Sequence, residues 1–413
     1  MRKLLGTLAL IAFGFGLALV VADLGIRVAN RWFPYFYCYD QYRGWGLNAG
    51  AHGWYRREGE SYVRINHDGF RGPDYPRPKP AGTVRIAVIG DSYVEAIQVA
   101  EDQTFTAVAG RELAQCPALK GKRVEALNFG VDGYGTAQEL ITLQRKVWNY
   151  DPDFVVLAIF LGNDVRNNSV VLEGDQCRPF WTDDGGAMKL TGPFIDSPSF
   201  KLWCMARFDY RDLRLLDLFS NTWEIVKGGA GAPTAEHPVE RAINYSIYSP
   251  PVGKAWQDAW RITEKLIAAT HDAAARHHVA FLAVTEETGI QAWPDPAVRA
   301  KFIARLGVPD LFYPDRRIAA LGKRDGFAVL NLAQPLQQYA QRTHLFLHGF
   351  KNTPRGFGHW NANGHAIAGR LIGNQLCAMI AAGACTTCGA LPIENIPGVT
   401  NQPAATNSPA AAH

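Results

Sequence analysis

Three runs of apolar residues, at 84–89, 124–129 and 154–160, each reach a glycine within two residues of their end. Val84-Arg-Ile-Ala-Val-Ile89 is compact and β-branched, and Phe154-Val-Val-Leu-Ala-Ile-Phe160 is wholly apolar. Neither alternates as a half-exposed strand would, so both read as buried parallel strands. The segments between them carry helical spacing instead. A helix is expected over 104–114, and another over 136–148, where Leu140, Ile141, Leu143 and Val147 fall on one face. After a less regular stretch the alternation returns: helix 255–277, strand 279–284, helix 311–321, strand 327–332 and a last amphipathic helix over 363–381. Strands alternating with helices imply an α/β fold with a doubly wound parallel sheet. Such a sheet binds ligands at the carboxyl ends of its strands.

The chain has 413 residues, 47% of them hydrophobic and 19% charged, enough to bury a substantial core. Its formal net charge is only +4, with no basic run and no basic–aromatic stripe, so nucleic acid is not an expected partner. The amino terminus is more telling. Arg2 and Lys3 precede an unbroken apolar stretch over 4–22, ended by Asp23. A helix of that length spans about 28 Å, close to the hydrocarbon thickness of a bilayer. The stretch is longer than the apolar region of a cleaved signal peptide, and no small-x-small cleavage site follows it. Residues 1–28 therefore read as a signal anchor with Arg2 and Lys3 cytoplasmic, placing the chain on the inner membrane and its bulk in the periplasm. A cleaved signal, giving a secreted protein, and a buried core helix are the alternatives.

Seven cysteines, at 38, 116, 177, 204, 377, 385 and 388, suit an exported protein, and their odd number leaves at least one outside any intrachain pairing. Cys385-Thr-Thr-Cys388 has the spacing of a redox or zinc pair. It follows the last helix instead of opening one, and no further zinc ligands can be named. A disulfide or two ordinary cysteines is the expectation. The remaining organisation is an aromatic-rich flank over 29–80, a main domain over 81–388 with an insertion at 165–250, and a disordered tail over 389–413 rich in Pro, Ala, Asn and Thr. Within the flank, 61–66 reads as a strand.

Four segments fall where such a sheet would place chemistry. Ser92, in Gly90-Asp91-Ser92-Tyr93, follows the first strand. There a serine can expose its oxygen and become nucleophilic beside a base, or can simply cap a helix with Glu95 as its capping-box partner. Gly133 lies in the glycine-rich turn 128–135 after the second strand, where backbone N–H groups can approach a ligand. Asn163 follows the third strand, and its amide could donate to an oxyanion or form an Asx turn. His359 and His365 stand before the last helix.

In order and register, Ser92, Gly133, Asn163 and His359 resemble the four conserved blocks of the SGNH/GDSL hydrolase superfamily, in its membrane-anchored bacterial form. The resemblance covers residues 84–163 and 355–370. It implies a flavodoxin-like, SGNH-type sheet and a serine esterase or O-acyltransferase. Ser92 would be the nucleophile and His359 the general base. Ser92, Gly133 and Asn163 would donate to the oxyanion. His365 is expected to be a helix-start residue. The family usually carries an aspartate three residues before the histidine, and this chain has Gly356 there. Either a backbone carbonyl or a residue of the 165–250 insertion is then expected to orient His359, or the protein keeps the fold without the chemistry and binds or assembles exported polysaccharide. The substrate class implied is an extracytoplasmic acylated carbohydrate or lipid. No cofactor is expected. Asp91, Asp164 and His359 could meet in space, but their spacing demands no metal.

Overall fold

The computed structural model describes residues 2–29, 35–209, 215, 240 and 243–388. The tail expected over 389–413 and most of 210–242 lie outside the described residues.

The core is a five-stranded parallel sheet formed by β5 (Thr83–Gly90), β6 (Arg123–Gly130), β7 (Phe154–Phe160), β10 (Ala280–Glu286) and β11 (Ala328–Asn331). Its spatial order is β6-β5-β7-β10-β11. Counting only these five strands, the order is 2-1-3-4-5, the flavodoxin-like winding, and it reverses direction between β5 and β7. Side chains alternate across the sheet as the pleat requires. Ala87, Ile89, Val155, Leu157 and Ile159 join one buried cluster. Ile86, Val88, Phe154, Val156 and Ala158 join the other. With helices on both faces, β5 and β7 are buried throughout; β7 is wholly apolar, and the one charged residue of β5, Arg85, is itself buried and paired with Glu125.

The helices match the periodic segments closely: Phe105–Leu113, Thr136–Arg145, Lys254–Arg276, Tyr313–Asp325 and Ala362–Ala381. Two more, Pro296–Leu306 and Ala333–Thr343, lie where no helix is expected from the sequence. The second carries Pro335 in its first turn and four glutamines, and buries only Ala333, Leu336 and Ala340. A proline is tolerated there because first-turn N–H groups have no intrahelical acceptor.

Before the sheet come β1 (Tyr37–Asp40) and β2 (Gly44–Leu47), an antiparallel pair, then the hairpin of β3 (His52–Tyr55) and β4 (Ser61–Arg64). The stretch after residue 165 contributes a further hairpin, β8 (Phe180–Asp184) with β9 (Ala187–Thr191). The flank is packed into the body of the molecule. Phe36, Trp45, Leu47, Val63 and Ile65 share a buried cluster with Val131, Tyr134 and Phe194. Trp45 Nε1 donates to Asp132 O at 2.9 Å, tying the flank to the turn after β6.

The amino-terminal helix Arg2–Ala29 has a mean hydropathy of 2.5 over its most apolar window and buries none of that window. It is long and apolar enough to cross a membrane, and its exposure sets aside the buried-core-helix alternative. Three disulfides join Cys116 to Cys377, Cys177 to Cys204, and Cys385 to Cys388. Cys38 is the seventh cysteine, and its thiol donates to Leu47 O.

Candidate active site

Ser92 opens a single helical turn, Ser92–Glu95, directly after β5. The capping role considered for it belongs to its neighbour: the Asp91 carboxylate accepts from Tyr93 N at 2.9 Å. Glu95 turns away from the cap, accepting from Tyr37 Oη at 2.9 Å and from the backbone N–H of Asp132. Burial pushes the Glu95 carboxyl up to about 8, with the charge of Asp132 adding to the effect. Ser92 is thus relieved of the structural role, and its Oγ lies 2.8 Å from Nε2 of His359.

His359 reaches this position from a loop pinned on both sides. An antiparallel bridge joins His348 to Trp360, and Gly349 N donates to His359 O at 3.1 Å. Behind it, Trp360 Nε1 donates to Glu287 Oε1 at 2.7 Å. Buried His348 sits between Gly358 O and the same Glu287 oxygen. The Tyr93 ring stacks on Phe160 and lies 5.1 Å from the His359 ring, while its hydroxyl donates to Gly358 O. These contacts fix where the imidazole points.

The far side of the ring carries the group missing from the sequence reading. His359 Nδ1 lies 2.6 Å from Glu58 Oε2, and the backbone N–H of His359 donates to Glu58 Oε1 at 2.7 Å. Glu58 sits in the turn between β3 and β4, about 300 residues upstream in the flank. The expectation that a backbone carbonyl or a residue of the 165–250 insertion orients the ring is therefore corrected. The insertion does reach the loop, but one residue away: Glu240 accepts from Gly358 N at 2.7 Å.

Steric facts explain the substitution of one acid for another. Gly356 has φ +83°, and a Cβ there would stand 2.4 Å from the Trp293 ring, so no aspartate fits at that position. Gly358 has φ +74°, and a Cβ on it would stand 2.1 Å from Glu58 Oε1. Bare backbone at 358 is what lets the Glu58 carboxylate come against His359. The Glu58 turn is itself clamped by Asn352, which accepts from Gly59 N at 2.9 Å and donates to Arg56 O and Gly59 O.

Burial alone would lower the His359 pKa. The charge of Glu58 and its hydrogen bond outweigh this, with help from Asp132 and Asp91, and hold it at about 9. In return, burial would raise Glu58, yet His359 and the hydrogen bonds it donates keep that carboxyl below its ordinary value. The serine, imidazole and carboxylate form one continuous hydrogen-bonded chain. Such a chain can take a proton from a hydroxyl while holding the imidazole in one tautomer.

Gly133 lies in the turn after β6 with φ +73°, beside Trp45 and Arg178. Asn163 follows β7, the strand paired with β5, and precedes the short helix Asp164–Asn167 without capping it through its side chain. Its Oδ1 is buried with no hydrogen-bond partner among the described residues. His365 is buried, and its Nδ1 accepts from Phe105 N at 3.3 Å, a structural position. Among the described residues, Asp91, Asp164 and His359 do not gather their ligating atoms; Asp153, Cys385 and Cys388 do, with the two sulfurs joined in a disulfide. Ser92 and His359 open onto a cavity of about 180 Å³ walled by Tyr35, Tyr37, Tyr55, Arg57 and Ile97.

No family model and no curated protein matches the sequence. Solved structures do match. An acetyl xylan esterase, AlAXEase, is 12% identical, with 71% of this chain covering all of that one at a TM-score of 0.37. A lipase/acylhydrolase from Enterococcus faecalis is 12% identical, covering 71% of this chain and 96% of its own at 0.35. A GDSL-like lipase from Bacteroides thetaiotaomicron is 13% identical, covering 74% and 93% at 0.32.

Proposed function

We propose that the protein is a serine esterase or O-acyltransferase working through an acyl-enzyme on Ser92. The single observation that carries this reading is the chain Ser92 Oγ, His359, Glu58, with separations of 2.8 and 2.6 Å. His359 Nε2 removes the serine proton as Oγ attacks an ester carbonyl, and returns it to the leaving alcohol oxygen. Glu58 accepts from Nδ1–H throughout and stabilises the imidazolium. The oxyanion is received by the N–H of Ser92, the N–H of Gly133 and the side-chain amide of Asn163. Ser92 stands at the first position of its helix, where a backbone N–H has no intrahelical partner. Water or a second alcohol then attacks the acyl-enzyme.

The helix Arg2–Ala29 is read as a signal anchor that holds the site in the periplasm, where the substrate is an acylated carbohydrate or lipid. The reading of a non-catalytic polysaccharide-binding relative drew its support from Gly356. Glu58 answers that objection by supplying the acid from elsewhere. Release of acetate from a simple ester, with and without a sugar acceptor, tests the proposal. Turnover that Ser92→Ala abolishes is expected, and acceptor-dependent transfer would mark a transferase. Equal rates for wild type and Ser92→Ala would refute it.

A further inference from the structure

A second and larger cavity, of about 490 Å³, lies beside the catalytic one. Gln98 lines both. Gly349 and Asn361, which flank the His359 loop, also line it. So does Phe350, against which the Glu58 turn is wedged: a Cβ on Gly59 would stand 2.4 Å from Gln98 O and 2.8 Å from the Phe350 ring. The cavity is thus built from the same loops that set the catalytic chain. Its size falls in the range of small-molecule sites, roughly 300–1,000 Å³.

Two independent features say what it would hold. Gln98 is only 3% exposed, and its Oε1 is buried without a hydrogen-bond partner among the described residues. A buried acceptor in that state is satisfied by a donor arriving with a ligand, and a hydroxyl is the simplest one. The charge of the lining is lopsided. Lys351 and Arg355 are exposed on it and make no salt bridge among the described residues, whereas Glu60, the one acid there, is engaged by Arg56 Nε at 3.0 Å.

We propose that this cavity seats the leaving or accepting alcohol and selects an anionic polyol, a polyhydroxylated unit bearing a carboxylate or phosphate. The inference rests on the acyl-transfer reading for its role in the reaction, though not for binding itself. Lys351 and Arg355 face the anion, Gln98 Oε1 accepts a hydrogen bond from a hydroxyl, and the esterified oxygen points toward His359.

Four acetyl esters test it: those of methyl glucuronide, of glycerol phosphate and of neutral methyl glucoside, with 4-nitrophenyl acetate as a substrate too small to reach the cavity. The anionic esters are expected to show KM values roughly two- to thirtyfold below the neutral sugar, the range for two exposed charge pairs. Lys351→Ala/Arg355→Ala should erase that gap and leave 4-nitrophenyl acetate turnover unchanged. Lys351→Glu/Arg355→Glu should reverse the preference. Whichever of carboxylate and phosphate shows the lower KM names the source of the anion. Equal KM values for anionic and neutral sugars in the wild type, with 4-nitrophenyl acetate still cleaved at Ser92, would overturn the cavity assignment alone. Binding of methyl glucuronide to the wild type with no ester cleaved would instead overturn the acyl-transfer reading beneath it.

Discussion

Replacing Glu58 with glutamine changes two oxygens' worth of chemistry at almost constant shape. The backbone N–H of His359 donates to Oε1 and the ring to Oε2. In Glu58→Gln the amide oxygen stays on the backbone N–H, which can only donate, and the amide nitrogen turns to the ring. It then donates to Nδ1, forcing the ring proton onto Nε2, where it faces Ser92 and cannot act as a base. The electrostatic part can be sized from the net rise of the His359 pKa, to which Glu58 is the largest favourable contributor. Raising His359 from 6.5 to about 9 corresponds to about 3 kcal/mol in favour of the imidazolium, or some 300-fold in rate if fully expressed in the transition state. The tautomer error adds to this, and loss of the acid from a working triad costs about 10⁴ overall. Plateau kcat for Glu58→Gln, taken from the flat region of each pH profile on 4-nitrophenyl acetate, is therefore expected to fall by about 10²–10⁴. A loss smaller than about tenfold, in protein with an unchanged circular dichroism spectrum, would refute the assignment of Glu58.

Gly358→Ala should cripple catalysis without altering Ser92, His359 or Glu58 themselves, because its Cβ would push Glu58 Oε1 away at a backbone angle that already disfavours a side chain. A drop in kcat of about 10²-fold with Ser92 intact is expected, and wild-type turnover would contradict it. For the wild type, kcat/KM should climb about tenfold per pH unit from pH 6 toward a limb near 9, since only neutral His359 accepts a proton. In Glu58→Ala the main influence raising the imidazole is gone, and that limb should move to lower pH. The same pair contributes stability that is complete below pH 6.5 and fades as pH rises through about 9, which thermal melts across that window would follow. Cys116→Ser, opening the link to the last helix, should cost about 2–5 kcal/mol and lower Tm by roughly 3–8 °C in a thermal melt.

The centre of the sheet was legible in the sequence because β5 and β7 are buried along their whole length; they read directly from residues 84–89 and 154–160. The helix Ala333–Thr343 was not, since Pro335 and four glutamines make its composition that of a polar loop, although Ala333, Leu336 and Ala340 do fall on one face. Ser92 and His359 were legible because each sits beside a strand end or helix start with glycines around it. Glu58 was not. Its only local context is Arg-Arg-Glu-Gly-Glu, the composition of any solvated hairpin turn, and its role comes from a tertiary approach across about 300 residues. A signal did exist at the other end: glycines at 356 and 358 around His359 leave no room for a local acid and open a path for a distant one. The aromatic residues of the flank serve packing: Phe36 and Trp45 are buried against the turn after β6 and hold Glu58's hairpin to the domain.

The most direct test of the hydrogen-bonded chain is reaction with a fluorophosphonate, which modifies only an activated serine, followed by peptide mass spectrometry. A single adduct on Ser92, absent from Ser92→Ala and slowed at least a hundredfold in His359→Ala, is what the geometry requires. Folded wild-type protein that stays unlabelled, or that carries the adduct on another serine, would contradict it.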